Sequence, residues 1–198
     1  MSVSETQICN LALVELGCGL ISNIEADTSH KAVLCRLYLE PVIDEVLRSH
    51  EWNCAIWYQS LSLIASDDAD YLLADYDKYS YQFQIPTNPF CLRVLEIPDY
   101  PGYAYEIVSG YLLTNLSAVT IKYIRRIENV TEFDSLLVRA IAYRLAADLA
   151  TRITNSTKTR SEMLVIYDWQ LTRAVDIDAR ESENPQTEEY SIRDAKDA

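Results

Sequence analysis

The chain has 198 residues, 49% of them hydrophobic, with only 4 glycines and 6 prolines, a composition that suits a compact fold and argues against a disordered or fibrous one. Thirty acidic residues against 17 basic ones give a formal net charge of −13, which repels phosphate and argues against general affinity for nucleic acid or an anionic membrane. The acidity either keeps the protein dissolved or lines a passage through which DNA slides without sticking. The five cysteines, Cys9, Cys18, Cys35, Cys54 and Cys91, are odd in number and form no CxxC pair, so neither a disulfide framework nor a zinc site is expected. The N-terminus lacks the basic start and apolar stretch of a signal peptide, and no apolar run approaches the ~20 residues of a membrane span. These features point to a protein made in a reducing cytoplasm.

Taken in chain order, the hydrophobic period changes twice. From Ser4 to Leu16 it is helical: Ser4 and Gln7 form a candidate capping box, Ile8, Leu11, Ala12 and Leu16 share a face, and Gly17 supplies the stop. After a loop through Asp27, a second helix is predicted from about Ser29 to His50, with Ala32, Cys35, Leu39, Val42, Ile43 and Val46 along one stripe. Pro41 lies inside it and is expected to kink or split it.

From about Trp52 to Ile127 the period becomes two. Tyr79, Tyr81, Phe83 and Ile85 are expected on a buried strand face, with Ser80, Gln82 and Gln84 on the wet one, and Pro86 ending the strand. Cys91–Ile97 reads as another strand. Residues 105–108 and 111–114 read as a hairpin in which Gly110 takes a positive φ. Residues 119–123 alternate again, and Trp57, Leu61 and Leu63 suggest one more strand before the acidic segment from Asp67 to Asp77. The region reads as a small antiparallel sheet or open barrel.

After Asn129 the helical period returns. Phe133, Leu136, Leu137, Ala140, Ile141, Ala147 and Leu149 face one way on a helix starting near Thr131 or Glu132, and small residues from Ala140 to Ala150 allow close helix packing. Thr154–Thr157 breaks the pattern. A last helix carries Leu164, Tyr167, Leu171, Ala174 and Val175, and the stretch 181–198 is polar, acidic and expected to lack a core of its own. The expected architecture is α+β: an antiparallel helical bundle formed from both chain ends (1–51 and 129–180), an inserted antiparallel β domain (52–128), and an acidic tail (181–198).

Little in the sequence specifies a reaction. His30 falls at an expected helix start and His50 at an expected helix end, where a cation can meet the carbonyl dipole, and for both a role at the helix terminus is favoured over catalysis. GxSxG, HExxH, GxxxxGK[ST] and GxGxxG are all missing, and Gly17-Cys-Gly19 is too short to cradle a pyrophosphate. Asp67-Asp-Ala-Asp lacks the glycine and distal glutamate of a calcium hand. No cofactor, metal or catalytic group is therefore expected. Arg125-Arg126 and the arginines from Arg139 to Arg173 alternate with acids, either as a solvated face or as an intersubunit seam. Fourteen tyrosines stand against 3 Phe and 3 Trp. Many suit strands simply as strand formers, but those of Pro98-Asp-Tyr-Pro-Gly-Tyr suit a contact surface better.

Several stretches, in this order, resemble the tail tubular protein A family, the head-to-tail adaptors of short-tailed phages. They are Ile8–Gly17, Trp52-Asn-Cys-Ala, Tyr81–Pro86 with Cys91–Leu95, Ile121–Arg125, and Phe133–Ala150 followed by Ile153-Thr. Together they span most of the chain from Thr6 to about Ala179. The resemblance implies a non-enzymatic virion subunit, assembled as a twelve-fold ring between the portal protein and the tail nozzle or tube, with genomic DNA passing through the lumen unbound. On that reading Ile177, Arg180, Glu181, Tyr190, Ile192 and Arg193 are candidates for portal binding. Asp75, Tyr76, Tyr100 and Tyr103 are candidates for the tail-facing loops. The alternatives are a head–tail connector or tail-completion protein of a long-tailed phage, or a cytoplasmic hydrolase built on carboxylates such as Asp67 and Asp68.

Overall fold

The computed structural model describes residues 3–66 and 78–182. Four α-helices and two antiparallel sheets make an α+β fold with helices at both ends. The chain divides into two compact units: 1–43 with 133–198, and 44–132. Helix α2 contributes to both, so the division falls eight residues before the expected boundary at 51.

In the helical unit, α1 (Glu5–Glu15) starts on Ser4, whose Oγ accepts from the Gln7 N–H at 3.2 Å. It ends in a Schellman turn: Gly17 takes φ +68°, its N–H donates to Val14 C=O at 2.9 Å, and Cys18 N–H donates to Leu13 C=O at 2.9 Å. The buried face holds Ile8, Cys9, Ala12, Leu13 and Leu16. Leu11, expected among them, is instead exposed, because the true face turns toward Cys9 and Leu13. Helix α2 (His30–Ser49) buries the whole anticipated stripe and is not split at Pro41. The proline ring removes the bond to the carbonyl four residues back, at Leu37. Leu37 is 63% exposed, so water can take that carbonyl.

Helix α3 (Ser135–Ile153) begins on Asp134, whose carboxylate accepts from Leu136 N–H at 2.9 Å. The expected start at Thr131 or Glu132 is a separate 3-10 turn, Val130–Glu132. Ten buried residues, five of them alanine, let α3 pack closely between α1 and α4 (Thr157–Ser182). Asn155, at φ +54°, makes the short turn into α4. The buried line of α4 is Met163, Tyr167, Gln170 and Ala174; Tyr167 and Ala174 belong to the anticipated stripe, while its Leu164, Leu171 and Val175 are half-buried.

The β unit contains two sheets. One has the order β1 (Ile56–Ser60), β7 (Thr120–Arg125), β4 (Cys91–Glu96). The other runs β2 (Ser62–Ser66), β3 (Tyr81–Gln84), β6 (Tyr111–Thr114), β5 (Tyr105–Val108). The single strand anticipated around Trp57–Leu63 is thus two strands in different sheets, broken at Leu61, whose N–H donates to Val119 C=O at 2.8 Å. Ser109 and Gly110 both take positive φ (51° and 84°), the pair needed for a hairpin whose twist matches its strands. Phe83 and Leu112 of one sheet meet Ile121 and Tyr123 of the other in a common core with Ile97 and Val119. The Tyr123 hydroxyl satisfies itself on Gln59 Oε1 at 3.0 Å. Gln82, expected on a wet face, is fully buried, and neither its side-chain oxygen nor its nitrogen has a hydrogen-bond partner. β3 is an interior strand covered on both sides, so alternation marks its two faces without saying that one is wet.

Candidate interaction surfaces

The loop after α1 is built by side chains that hold its backbone. Asn10 accepts from Ile21 N–H at 2.8 Å and donates to Ile21 C=O at 3.0 Å. Arg36 donates to the carbonyls of Ile24 and Asp27, and Asp27 accepts from Ser29 N–H at 2.8 Å. The backbone and hydroxyl hydrogen bonds from Ser29 hold the Asp27 carboxyl below its ordinary range. This loop presents Leu20 to solvent at 63% exposure.

Leu20 belongs to a wider set of exposed apolar side chains in the helical unit. Leu11 and Val14 lie one turn apart on α1, Val33 and Leu37 one turn apart on α2, and Val165 and Trp169 one turn apart on α4. Val165 and Trp169 are 69% and 60% exposed, and the Arg173 guanidinium lies 5.8 Å from the Trp169 ring. Large apolar residues repeated at helical spacing on an outer face are a stronger sign of a contact surface than the same residues scattered singly.

In the β unit, the Pro98–Gly102 turn brings Tyr100 and Tyr103 together, both exposed, with ring centroids 6.2 Å apart at 62°. Tyr103 N–H donates to Tyr100 C=O at 3.1 Å and Gly102 sits at φ +76°, so the pair is held by backbone geometry. Asp75 and Tyr76, the other residues assigned to tail-facing loops, lie outside the described residues. Ile177, Arg180 and Glu181 occupy the last turns of α4, with Arg180 and Glu181 exposed, while Tyr190, Ile192 and Arg193 also lie outside the described residues.

Several arginines are committed to internal pairs. Arg126 makes a two-pronged pair with Asp44, its Nε 2.9 Å from Oδ1, and lies over the Phe90 ring at 4.8 Å. Arg125 pairs with Glu132 and covers Trp57, and Arg144 reaches Asp148 at 2.6 Å along α3. Among the described residues, no group of three or more His, Cys, Asp or Glu side chains is placed to hold a metal ion. The Asp67–Asp70 cluster lies outside them. His30 opens α2, and His50 follows its end, where it packs edge-on against Trp52 at 5.0 Å. The thiols are packed: Cys35 beside it and then burial hold Cys9 above its ordinary range, and burial pushes Cys91 up to about 11. A thiol held protonated in this way is a poor nucleophile at neutral pH.

A further feature of the β unit was not legible in the sequence. A cavity of about 360 Å³ lies beside β4, lined by Arg48, Phe90, Arg93, Val94 and Ile107 among others. No described helix is long and apolar enough to cross a membrane. Neither a protein-family model nor a curated protein matches this chain.

Proposed function

We propose that this chain is a structural virion subunit, a head-to-tail adaptor that forms a ring between the portal protein and the tail nozzle or tube. The observation that carries the reading is the exposed apolar set on separate helices of one unit: Leu11 and Val14 on α1, Val33 and Leu37 on α2, Val165 and Trp169 on α4. A ring subunit needs two different surfaces that fit each other on neighbouring copies, a heterologous contact that closes by rotation. Pairs of exposed apolar residues on more than one helix fit that requirement. The order of elements, helices from both chain ends around an inserted β unit, accords with the same reading.

In this proposal the exposed end of α4 and the residues beyond it approach the portal, and the Tyr100–Tyr103 turn faces the tail. The net charge of −13 lets DNA pass without adhering. Native mass spectrometry of the purified chain, alone and mixed with portal rings, tests the proposal. A saturating complex with a fixed ratio of chain to portal subunit is expected. A chain that stays monomeric and does not associate with portal rings at micromolar concentration would overturn it.

A further inference from the structure

Arg48, on the last turn of α2, and Arg93, on β4, both line the 360 Å³ cavity of the β unit. In a chain with 30 acidic residues and 17 basic ones, Arg125, Arg126 and Arg144 find carboxylates. Arg48 and Arg93 do not: among the described residues neither forms an ion pair. The Nε of Arg93 is moreover buried without a hydrogen-bond partner among the described residues, a cost that an acceptor on a ligand would remove. Phe90 and Ile107, large apolar side chains left 44% and 46% exposed, line the same cavity, with the Arg126 guanidinium over the Phe90 ring at 4.8 Å. The cavity therefore pairs unmet positive charge with uncovered apolar surface.

Its wall is an open strand. β4 lies at the edge of its sheet and pairs with β7 on one side, with no described strand on the other. The register shifts between Cys91 and Arg93 and between Val94 and Glu96 are irregularities typical of an edge. Phe90 through Val94 run along the cavity; Cys91 N–H is taken by Pro86 C=O at 3.0 Å and Thr87 is bridged to Phe90, so a chain lying in the cavity would meet the β4 backbone from Leu92 onward while its side chains met the arginines.

We propose that this cavity is a recognition site for an extended acidic peptide of a partner protein, added as a strand along β4. One carboxylate side chain lies between Arg48 and Arg93, and the neighbouring apolar side chain covers Phe90 and Ile107. Strand addition supplies affinity through main-chain hydrogen bonds, and the charge and apolar pocket supply specificity. A carboxylate, unlike a phosphate or nucleic acid strand, does not require the rest of this acidic surface to tolerate several further negative charges. The inference stands independently of the adaptor reading.

The test uses the full chain and two synthetic peptides, acetyl-Val-Glu-Val-Glu-Val-amide and its Gln counterpart, with binding followed by calorimetry and backbone amides by hydrogen exchange. The glutamate peptide is expected to bind saturably, about tenfold or more tightly than the glutamine peptide, and less tightly as salt rises. Amides from Leu92 to Leu95 gain protection. Arg93→Gln and Arg48→Gln each weaken the glutamate peptide by about tenfold. Should Arg93→Gln fail to fold, Arg48→Gln decides, since Arg48 is exposed at a helix end. Equal binding of both peptides, protection away from β4, or variants without effect would overturn the proposal. So would glutarate binding as tightly as the peptide, which would make the site one for a free carboxylate. Self-association without peptide that Arg48→Gln abolishes would instead make a second copy the occupant.

Discussion

Trp169 offers the sharpest test of the proposed contact surface on α4. It is 60% exposed and absent from the core, so replacing it with alanine removes nothing on which the fold depends. The loss of the Arg173 guanidinium 5.8 Å from its ring costs about 0.5 kcal/mol at an exposed site, and the better helix propensity of alanine offsets part of that. If a neighbouring copy covers the ring, the balance differs. A large aromatic side chain buries at most about 250 Å², so covering the exposed part removes about 150 Å² from water. At ~25 cal/mol per Å² that is about 4 kcal/mol, and the loss of rotamer freedom returns about 1 kcal/mol. The remaining ~3 kcal/mol corresponds to about a hundredfold in affinity. Trp169→Ala is therefore expected to unfold in urea within about 0.5 kcal/mol of the parent while assembling on portal rings about a hundredfold more weakly. Assembly is read by sedimentation at graded concentrations. A variant that assembles like the parent refutes the assignment of this face, and one that unfolds more than 2 kcal/mol more easily refutes the claim that the ring is uninvolved in folding.

Three further outcomes follow from the geometry. Asn10→Ala removes both hydrogen bonds to Ile21 and should cost about 2 kcal/mol in urea denaturation followed by far-ultraviolet circular dichroism, whereas a change below 0.5 kcal/mol would mean that water replaces the clamp. Asp27 has a folded pKa below its unfolded value, so its contribution is present above the unfolded pKa of about 3.9 and is lost as pH falls through the lowered folded value. Asp27→Asn should therefore be less stable than the parent at neutral pH, with the gap closing in acid; a gap that stays constant with pH would show that the charge is immaterial. Gln82→Met keeps the length of the side chain and removes two buried, unpaired polar atoms, and it should raise the denaturation midpoint by the equivalent of about 1 kcal/mol. A loss of stability would show that the Gln82 amide is satisfied in solution.

The helices were legible because their signals are local. Ser4 and Gly17 bracket α1 with side-chain and backbone chemistry confined to a single turn, and the α2 stripe depends only on residues three and four apart. The Ser109-Gly110 hairpin is local in the same sense. Leu11 was misplaced because α1 carries apolar residues nearly all round, so its sequence defines no single stripe. The start of α3 was set by the Asp134 cap, one residue after Phe133, and Thr131 and Glu132, expected near that start, belong to a separate 3-10 turn. Of the residues assigned to partner contact, Tyr100 and Tyr103 are exposed with their rings edge to face, whereas the exposed pair Val165 and Trp169 was not singled out by the sequence.

The strands of the β unit were legible from their alternation, but the break between β1 and β2 and the burial of Gln82 were not, for a reason that also hides the cavity. Alternation says which side chains share a face; what covers that face depends on strands distant in sequence. Gln82 alternates with Phe83 as a solvent-facing residue should, yet β3 lies between β2 and β6, and its neighbour Leu113 is buried beside it. Arg48 and Arg93 are likewise ordinary when read in place, one a basic residue near a helix end and the other an alternating residue on a strand. They become informative only when β4 is found at a sheet edge and the end of α2 beside the same cavity, with neither arginine paired. An unpaired charge is a relation between residues, and the two that define this cavity are separated by the whole of β1, β2 and β3.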